Sequence, residues 1–374
     1  MKRHLKVIDL FAGVGGLSLG AAKAGYDLAG AIDKEMRFIS AHSTNFPLTN
    51  HLCADLANLS GKDLLRKLGL QSKELAGIIG GPPCQGFSSI GKRSVLDDRN
   101  RLFIKFFQLI KYCNPAFFLA ENVPGILNQQ YDDIRKIAFK SVRANYHILE
   151  PIKIAANEFG AATTRTRVIF IGVRKDISGY ESIIENLNIR KNKTKTNVQQ
   201  ALKGLPAHIE EYRTTFDSSW CKVENLYPNN YTKRINQILP NIGNEKALER
   251  FLKQKEISGC FWTMHTKELK VRYASLKQGQ QDKISKSKRL SLDGLCPTLR
   301  AGTDSTKGSF QAVRPIHPLE PRVITPREAA RLQGFPDWFQ FHETKWHSFR
   351  LIGNSVCPLV SEHLLGAIGS SLKM

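Results

Sequence analysis

Short runs of consecutive apolar residues alternate with amphipathic stretches through the first half of the chain. The runs lie at residues 5–11, 28–32, 76–80, 116–120 and 167–173. Unbroken apolar character, rather than period-two alternation, means burial on both faces, as in parallel strands covered by helices on either side. The pattern predicts an α/β domain with a doubly wound, mostly parallel sheet. Beyond Val173 neither period persists. A basic stretch at 190–195 leads into scattered aromatics, Asn/Pro turns and the lysine-rich run 283–289, with no internal repeat. This predicts a second, smaller, irregular domain over 174–347. Order returns at Thr325-Pro326-Arg327-Glu328, where a Thr cap, Pro at the first helical position and a following Glu predict a helix start. Gly334-Phe335-Pro336 ends it. Residues 321–347 read as a connecting segment, and 348–374, with an apolar helix at about 359–368, rejoin 1–173 as one domain.

Composition narrows the class. The 374 residues are 41% hydrophobic and 24% charged, as in globular domains, and no apolar run approaches the roughly 20 residues of a membrane span. The first 22 residues resemble a secretory leader, but Asp9 and the glycines at 13, 15, 16 and 20 argue against one. Seven cysteines without a Cys-x-x-Cys pair suggest neither a disulfide framework nor a zinc site. A reducing cytoplasm, no metal and no membrane are the expectations.

Net charge is +22, and it is spread over two regions. Residues 186–320 carry 24 Lys/Arg against 12 Asp/Glu, and residues 1–173 carry 23 against 14. Positive surface on two regions suits a polyanion held between them, with solubility alone as the plainer explanation.

Four groups of residues carry chemistry. Asp9-Leu10-Phe11-Ala12-Gly13-Val14-Gly15-Gly16 follows the first strand and opens a helix, so its glycines allow a tight turn and close approach to a ligand. Ser18 stands where the dinucleotide fingerprint needs glycine, and Asp9 favours an ammonium group over a pyrophosphate. Asp33 ends the second strand, where a ribose contact is expected. Asp55 follows Leu52-Cys53-Ala54, where an adenine amino group could be read, and for both acids a helix cap or a solvated carboxylate is the alternative.

Cys84 follows the rigid Pro82-Pro83 and precedes a polar, basic segment to about residue 100 with Arg93, Arg99 and Arg101, as a lid over phosphates would have. It is the candidate nucleophile, and the other six cysteines read as packing residues. Glu121 lies at the carboxyl end of an apolar strand, where an apolar wall would push its carboxyl pKa upward and let it donate a proton near neutrality, with a structural ion pair as the plainer explanation. Arg165 and Arg167, two apart at a strand start, share one face, and either could orient Glu121 or hold a carbonyl oxygen.

Taken in order, these motifs resemble the DNA (cytosine-5)-methyltransferase family. The likeness covers Asp9 to Gly16, Gly81 to Ser88, Glu121-Asn122-Val123, Arg165-Thr166-Arg167, Arg322 to Pro336 and Gly353-Asn354-Ser355-Val356. It implies an S-adenosylmethionine-dependent fold of the Rossmann-like kind, released product S-adenosylhomocysteine, and a cytosine flipped from duplex DNA. It further implies Cys84 as nucleophile, Glu121 at ring nitrogen 3, and Arg165 and Arg167 around the base. Phe11, Gly13, Gly15, Gly16, Asp33, Asp55, Pro82, Leu102, Asn354 and Ser355, with Asp9, would hold the cofactor. Gln85, Ser88, Arg99 and Arg300 would contact DNA, and the irregular domain would read its sequence.

The resemblance also implies a bacterial restriction-modification setting, a cognate endonuclease acting on the same site, and a monomer. Three departures stand out. Ala31 and Ile32 occupy positions where the family carries a ribose-binding acid and a large side chain against adenine. Ala162-Thr163 replaces the usual Pro-Gln before the arginines. RNA methylation and a non-catalytic DNA-binding protein on a decayed fold are the alternatives, and Ser18 speaks against a dehydrogenase.

Overall fold

The computed structural model describes residues 5–83, 98–189, 195–300 and 314–372, with the backbone alone at 98–100. The first half lays down β1 (Lys6–Leu10), α1 (Gly16–Lys23), β2 (Asp27–Asp33), α2 (Met36–Asn45), β3 (Asn50–Cys53), α3 (Gly61–Leu68) and β4 (Leu75–Gly80). It continues through α4 (Asp98–Cys113), β5 (Phe117–Asn122), α5 (Asp132–Lys140), β6 (Tyr146–Ile148), β7 (Ile152–Ala155) and β8 (Thr166–Arg174). Strands run in the order β3-β2-β1-β4-β5-β8-β6, with β7 also paired to β8. The pairs among β1 to β5 are parallel, whereas β8 is antiparallel to β5 and to β6 and β7.

The five apolar runs are β1, β2, β4, β5 and β8. The three strands of this sheet that sequence periodicity missed, β3, β6 and β7, are short, only partly buried segments near its edges. Alternate residues of β5 serve two cores: Phe117 and Leu119 pack on the side of α1 and α13 (defined below), while Phe118 and Ala120 pack with α3, α4 and α5. The winding of the sheet reverses at β1, whose neighbours are β2 and β4. Such a switch point opens a crevice at the carboxyl ends of the strands.

The second half holds α6 (Ile183–Ile189), α7 (Val198–Leu202), β9 (Cys221–Lys222), α8 (Asn230–Ile235), α9 (Glu245–Glu249), β10 (Glu256–Ile257) and α10 (Lys267–Ser275). It closes with α11 (Pro326–Leu332), α12 (Lys345–Asn354) and α13 (Pro358–Ser371). Its apolar residues, among them Val223, Ile257, Phe251 and Leu290, belong to the same continuous core as α1 and α13.

The α11 cap forms as its sequence requires: the Thr325 hydroxyl accepts from Glu328 N at 3.2 Å, and the Glu328 carboxylate accepts from Thr325 N at 2.7 Å. This helix is buried along its length despite three charged residues, because each is paired. Arg322 makes a two-pronged contact with Glu328, and Arg331 does the same with Asp337. Arg327 donates to the carbonyls of Ser258, Pro336 and Phe339. Residues 345–371 are long and apolar enough by composition to cross a membrane, but they form the two helices α12 and α13, and 83% of their most apolar stretch is buried inside the fold.

Cys221 and Cys260 form a disulfide between the β9 and β10 segments, which the cysteine count had not suggested. Cys113, Cys296 and Cys357 are buried, and burial pushes their thiols well up, to about 12 for Cys113 and about 11 for Cys357. A raised thiol pKa leaves little thiolate near neutrality, so these three are packing residues.

Candidate active site

A cavity of about 420 Å³ opens at the carboxyl ends of β1 to β5, within the size range of small-molecule sites. Its floor is the turn from β1 into α1. Phe11 there has φ 63°, an unusual conformation for a bulky residue, and Gly13 and Gly15 have φ 55° and 94°. Gly15 caps α1 without a side-chain bond, so the helix opens into the cavity at Gly16 and Leu17 with its first N–H groups uncapped by any side chain.

Asp33 stands at the rim, accepting from Gly13 N and Glu35 N, each at 3.0 Å. Burial raises its carboxyl pKa, opposed by these backbone bonds. Asp55 lines the cavity and caps the following turn through Ala57 N at 2.9 Å, which is the capping role expected of it. Leu102, Pro82, Asn354 and Ser355 complete the wall among the residues expected there.

Two expected cofactor residues stand elsewhere. Asp9 is fully buried and does not reach the cavity; its Oδ2 accepts from the Ser18 hydroxyl at 2.6 Å. Ser18 in turn contacts His42 Nε2 at 2.9 Å, and His42 Nδ1 contacts His51 Nε2 at 2.8 Å. With Ser18 donating to Asp9, His42 must donate from Nε2 and accept at Nδ1. Burial, with His51 beside it, lowers the His42 pKa well below its ordinary value and keeps the ring neutral. Gly15 lines packing rather than ligand: an added Cβ would stand 2.4 Å from the Phe46 ring.

Ala31 and Ile32 are fully buried strand residues. The first carboxylate reaching the cavity is Asp33, so the acid and large-residue positions assigned to Ala31 and Ile32 in the sequence fall inside the sheet.

At the far end, Glu121 leaves β5 into the cavity, with Arg167 Nε 2.7 Å from its Oε1. The pair joins β5 to the antiparallel β8 and is little exposed, at 11% and 17%. Its neighbour is thus a guanidinium and not only an apolar wall. Arg165, also lining the cavity, donates from Nη1 to Gly353 O at 2.9 Å and Leu299 O at 3.4 Å. It holds main chain, whereas Arg167 engages the acid. Asn122, which sequence reasoning passed over, donates to Pro82 O at 3.4 Å and ties the acid strand to the diproline. Its place in Glu121-Asn122-Val123 was the available signal. Glu35, Phe38 and Arg350 on the wall were missed as well, and carried no motif.

Cys84, Gln85, Ser88 and the Arg99 side chain lie outside the described residues, which stop at Pro83 on the cavity wall. Arg300 is exposed, beside the Leu299 carbonyl that Arg165 holds. Among the described residues no three His, Cys, Asp or Glu cluster as metal ligands.

A mixed, mostly parallel sheet, a glycine turn at the switch point and a facing acid–arginine pair define an α/β enzyme with a small-molecule cavity. Comparison with known proteins specifies it. The family model for C-5 cytosine-specific DNA methylases matches residues 5–370. The Type II methyltransferase M.XorII of Xanthomonas oryzae pv. oryzae is 36% identical over 98% of this chain and 85% of its own length. M.DdeI of Desulfomicrobium norvegicum is 30% identical over 96% and 87%. A crystal structure of a prophage-encoded DNA modification methyltransferase from E. coli superposes with a TM-score of 0.86 at 44% identity, covering 98% of this chain and 99% of that one. The chain belongs to the family of C-5 cytosine-specific DNA methylases.

Proposed function

We propose that this enzyme modifies one cytosine within a specific duplex DNA sequence, with S-adenosylmethionine as methyl donor, as the modification half of a type II restriction-modification system. The Glu121–Arg167 pair, facing the cavity beside Pro82-Pro83 and thus next to Cys84 in the chain, carries the reading.

The cavity suits the donor. Gly13 leaves its floor open to an amino-acid moiety, and the Asp33 carboxylate has lone pairs left for ribose hydroxyls. When bound, the donor supplies an electrophilic methyl group. Cys84 thiolate adds to carbon 6 of the flipped base, which makes carbon 5 nucleophilic. Glu121, steered by Arg167, supports the charge developing at ring nitrogen 3 by donating a proton or hydrogen bond. After methylation, loss of the carbon 5 proton to a base restores the double bond and expels Cys84. Flipping is required because both carbons are stacked within the duplex.

DNA sequence would be read by the irregular second half, where Arg300 and the lysine-rich segments lie, and a cognate endonuclease would act on the same site. Type II relatives support that setting. The test is base-resolution methylation mapping of plasmid DNA from cells expressing the protein or its Cys84→Ala variant. 5-Methylcytosine at one recurring sequence, absent with the variant, is expected. Methyl groups found only in RNA would replace DNA as the substrate, and no methylation by intact protein would overturn the proposal.

A further inference from the structure

One charge pair on the cavity wall has no part in the roles above. Glu35 caps the N-terminus of α2, and Arg350 projects from α12, near the other end of the chain. Arg350 donates from Nη1 to Oε2 at 3.0 Å and from Nη2 to Oε1 at 2.7 Å, a two-pronged contact that fixes orientation as well as distance. The guanidinium also lies over Phe38, 5.0 Å from the ring centre, and within 5.8 Å of the Trp346 ring. Both members line the cavity.

Further contacts carry this pair to the ligand-facing groups. The Glu35 main-chain N–H donates to Asp33 Oδ1, and Asp33 Oδ2 accepts from Gly13 N, each at 3.0 Å. Arg350, Glu35, Asp33 and Gly13 therefore form an unbroken line along the cavity. On its other side, α12 ends at Asn354, and Ser355 rests against Gly16. A guanidinium on the last segment thus restrains a carboxylate on the first.

We propose that Glu35 and Arg350 form a latch that sets the Asp33 carboxylate and the Asn354 end of α12 across the cavity from each other, and so governs retention of a nucleoside cofactor. They are positioning residues and touch neither DNA nor the reacting atoms. The latch rests on the reading that S-adenosylmethionine occupies this cavity.

The test uses full-length protein, with S-adenosylmethionine and S-adenosylhomocysteine titrated calorimetrically and KM measured separately for cofactor and DNA. Glu35→Gln and Arg350→Gln are expected to weaken both cofactors by about tenfold, leaving kcat at saturating cofactor and the KM for DNA unchanged. Arg350→Lys, which keeps the charge and loses the fork, should fall between. The charge swap combining Glu35→Arg with Arg350→Glu should recover most of the loss.

Folded single variants that bind cofactor as the wild type does would overturn the latch. A swap no better than the sum of its parts would overturn it too, since Glu35 would then act on the cofactor directly. Wild-type protein that binds neither cofactor would overturn the cavity reading, and the latch with it.

Discussion

Gly16 and Ser355, from opposite ends of the chain, approach so closely that a methyl group on Gly16 would lie 2.1 Å from the Ser355 hydroxyl and 2.2 Å from the Val356 carbonyl. The cavity floor and the closing segment are therefore built against one another. Gly16→Ala cannot be absorbed by a side-chain shift alone, because one of the clashing atoms is main chain. Urea unfolding should show a loss of about 1–3 kcal/mol. Gly13→Ala meets no atom within 4 Å and is strained only by its φ of 55°, so its stability cost should be about 1–2 kcal/mol and come from the backbone. Equal stability of Gly16→Ala and wild type would refute the packing argument.

Glu121 and Arg167 form one ion pair between β5 and β8. Glu121→Gln and Arg167→Ala should each lower kcat by about 10²- to 10⁴-fold, the range of a positioned acid. The double variant should lose little more than the worse single one. Single-turnover methylation with unchanged DNA binding measures this, and fully multiplicative losses would show the two working separately.

Asp9 makes stability pH-dependent. Its carboxyl is pushed up to about 7 from an ordinary 3.8, first by burial, with the Asp33 charge adding and the Ser18 hydroxyl bond opposing. Between those values the folded state holds a proton that the unfolded chain has released, so the contribution is fully present below pH 3.8 and lost as pH rises through 7. Asp9→Asn removes this ionisation. It should be more stable than wild type at pH 8, and the gap should close as pH falls toward 5. Thermal melts across that range check it; a gap independent of pH would assign the effect to something else.

Asp337 is 1% exposed and pairs with Arg331, which is fully buried. It also accepts from Asn236 at 2.8 Å, so one carboxylate joins the irregular half to α11. Asp337→Ala strands a buried guanidinium and should cost about 3–5 kcal/mol by denaturant unfolding. A loss below about 1 kcal/mol would mean that Arg331 is satisfied by the carbonyls of Ala201 and Lys203, to which it also donates.

Lys283, Lys286 and Lys288 are exposed on a turn held by the buried Asp282, which accepts from Arg272 and from Ser285 N. With the neighbouring acid engaged internally, the lysines are available to phosphates. Changing all three to Gln should reduce the slope of log K against log salt by about 0.9 for each phosphate that is no longer neutralised. An unchanged slope would place this turn away from DNA.

The sheet was legible because β1, β2, β4, β5 and β8 are continuous apolar runs, a pattern that burial on both faces imposes regardless of neighbours. The α11 start was equally legible, since Thr325 and Glu328 satisfy each other's backbone within one turn. Edge strands such as β6 and β7 leave no such mark; what makes them strands is a partner, β8. Among site residues, Asp33, Glu121 and Arg167 were readable as polar groups at strand ends. Asp9 was misplaced because sequence locates a residue along its strand but not the face its side chain takes.

The order of residues along the chain dictates local features: which segments must be buried, where helices begin, and an ordered set of motifs that points to the chemistry. Which of those residues meet is settled by the folded arrangement alone. Arg167 facing Glu121, Arg165 holding Gly353, and Arg350 reaching Glu35 are contacts between segments far apart in the chain, set by strand order and by the return of the last helices onto the first. Periodicity reports a residue's burial, but not its partner, because any apolar face can be covered in several ways until the whole core has formed.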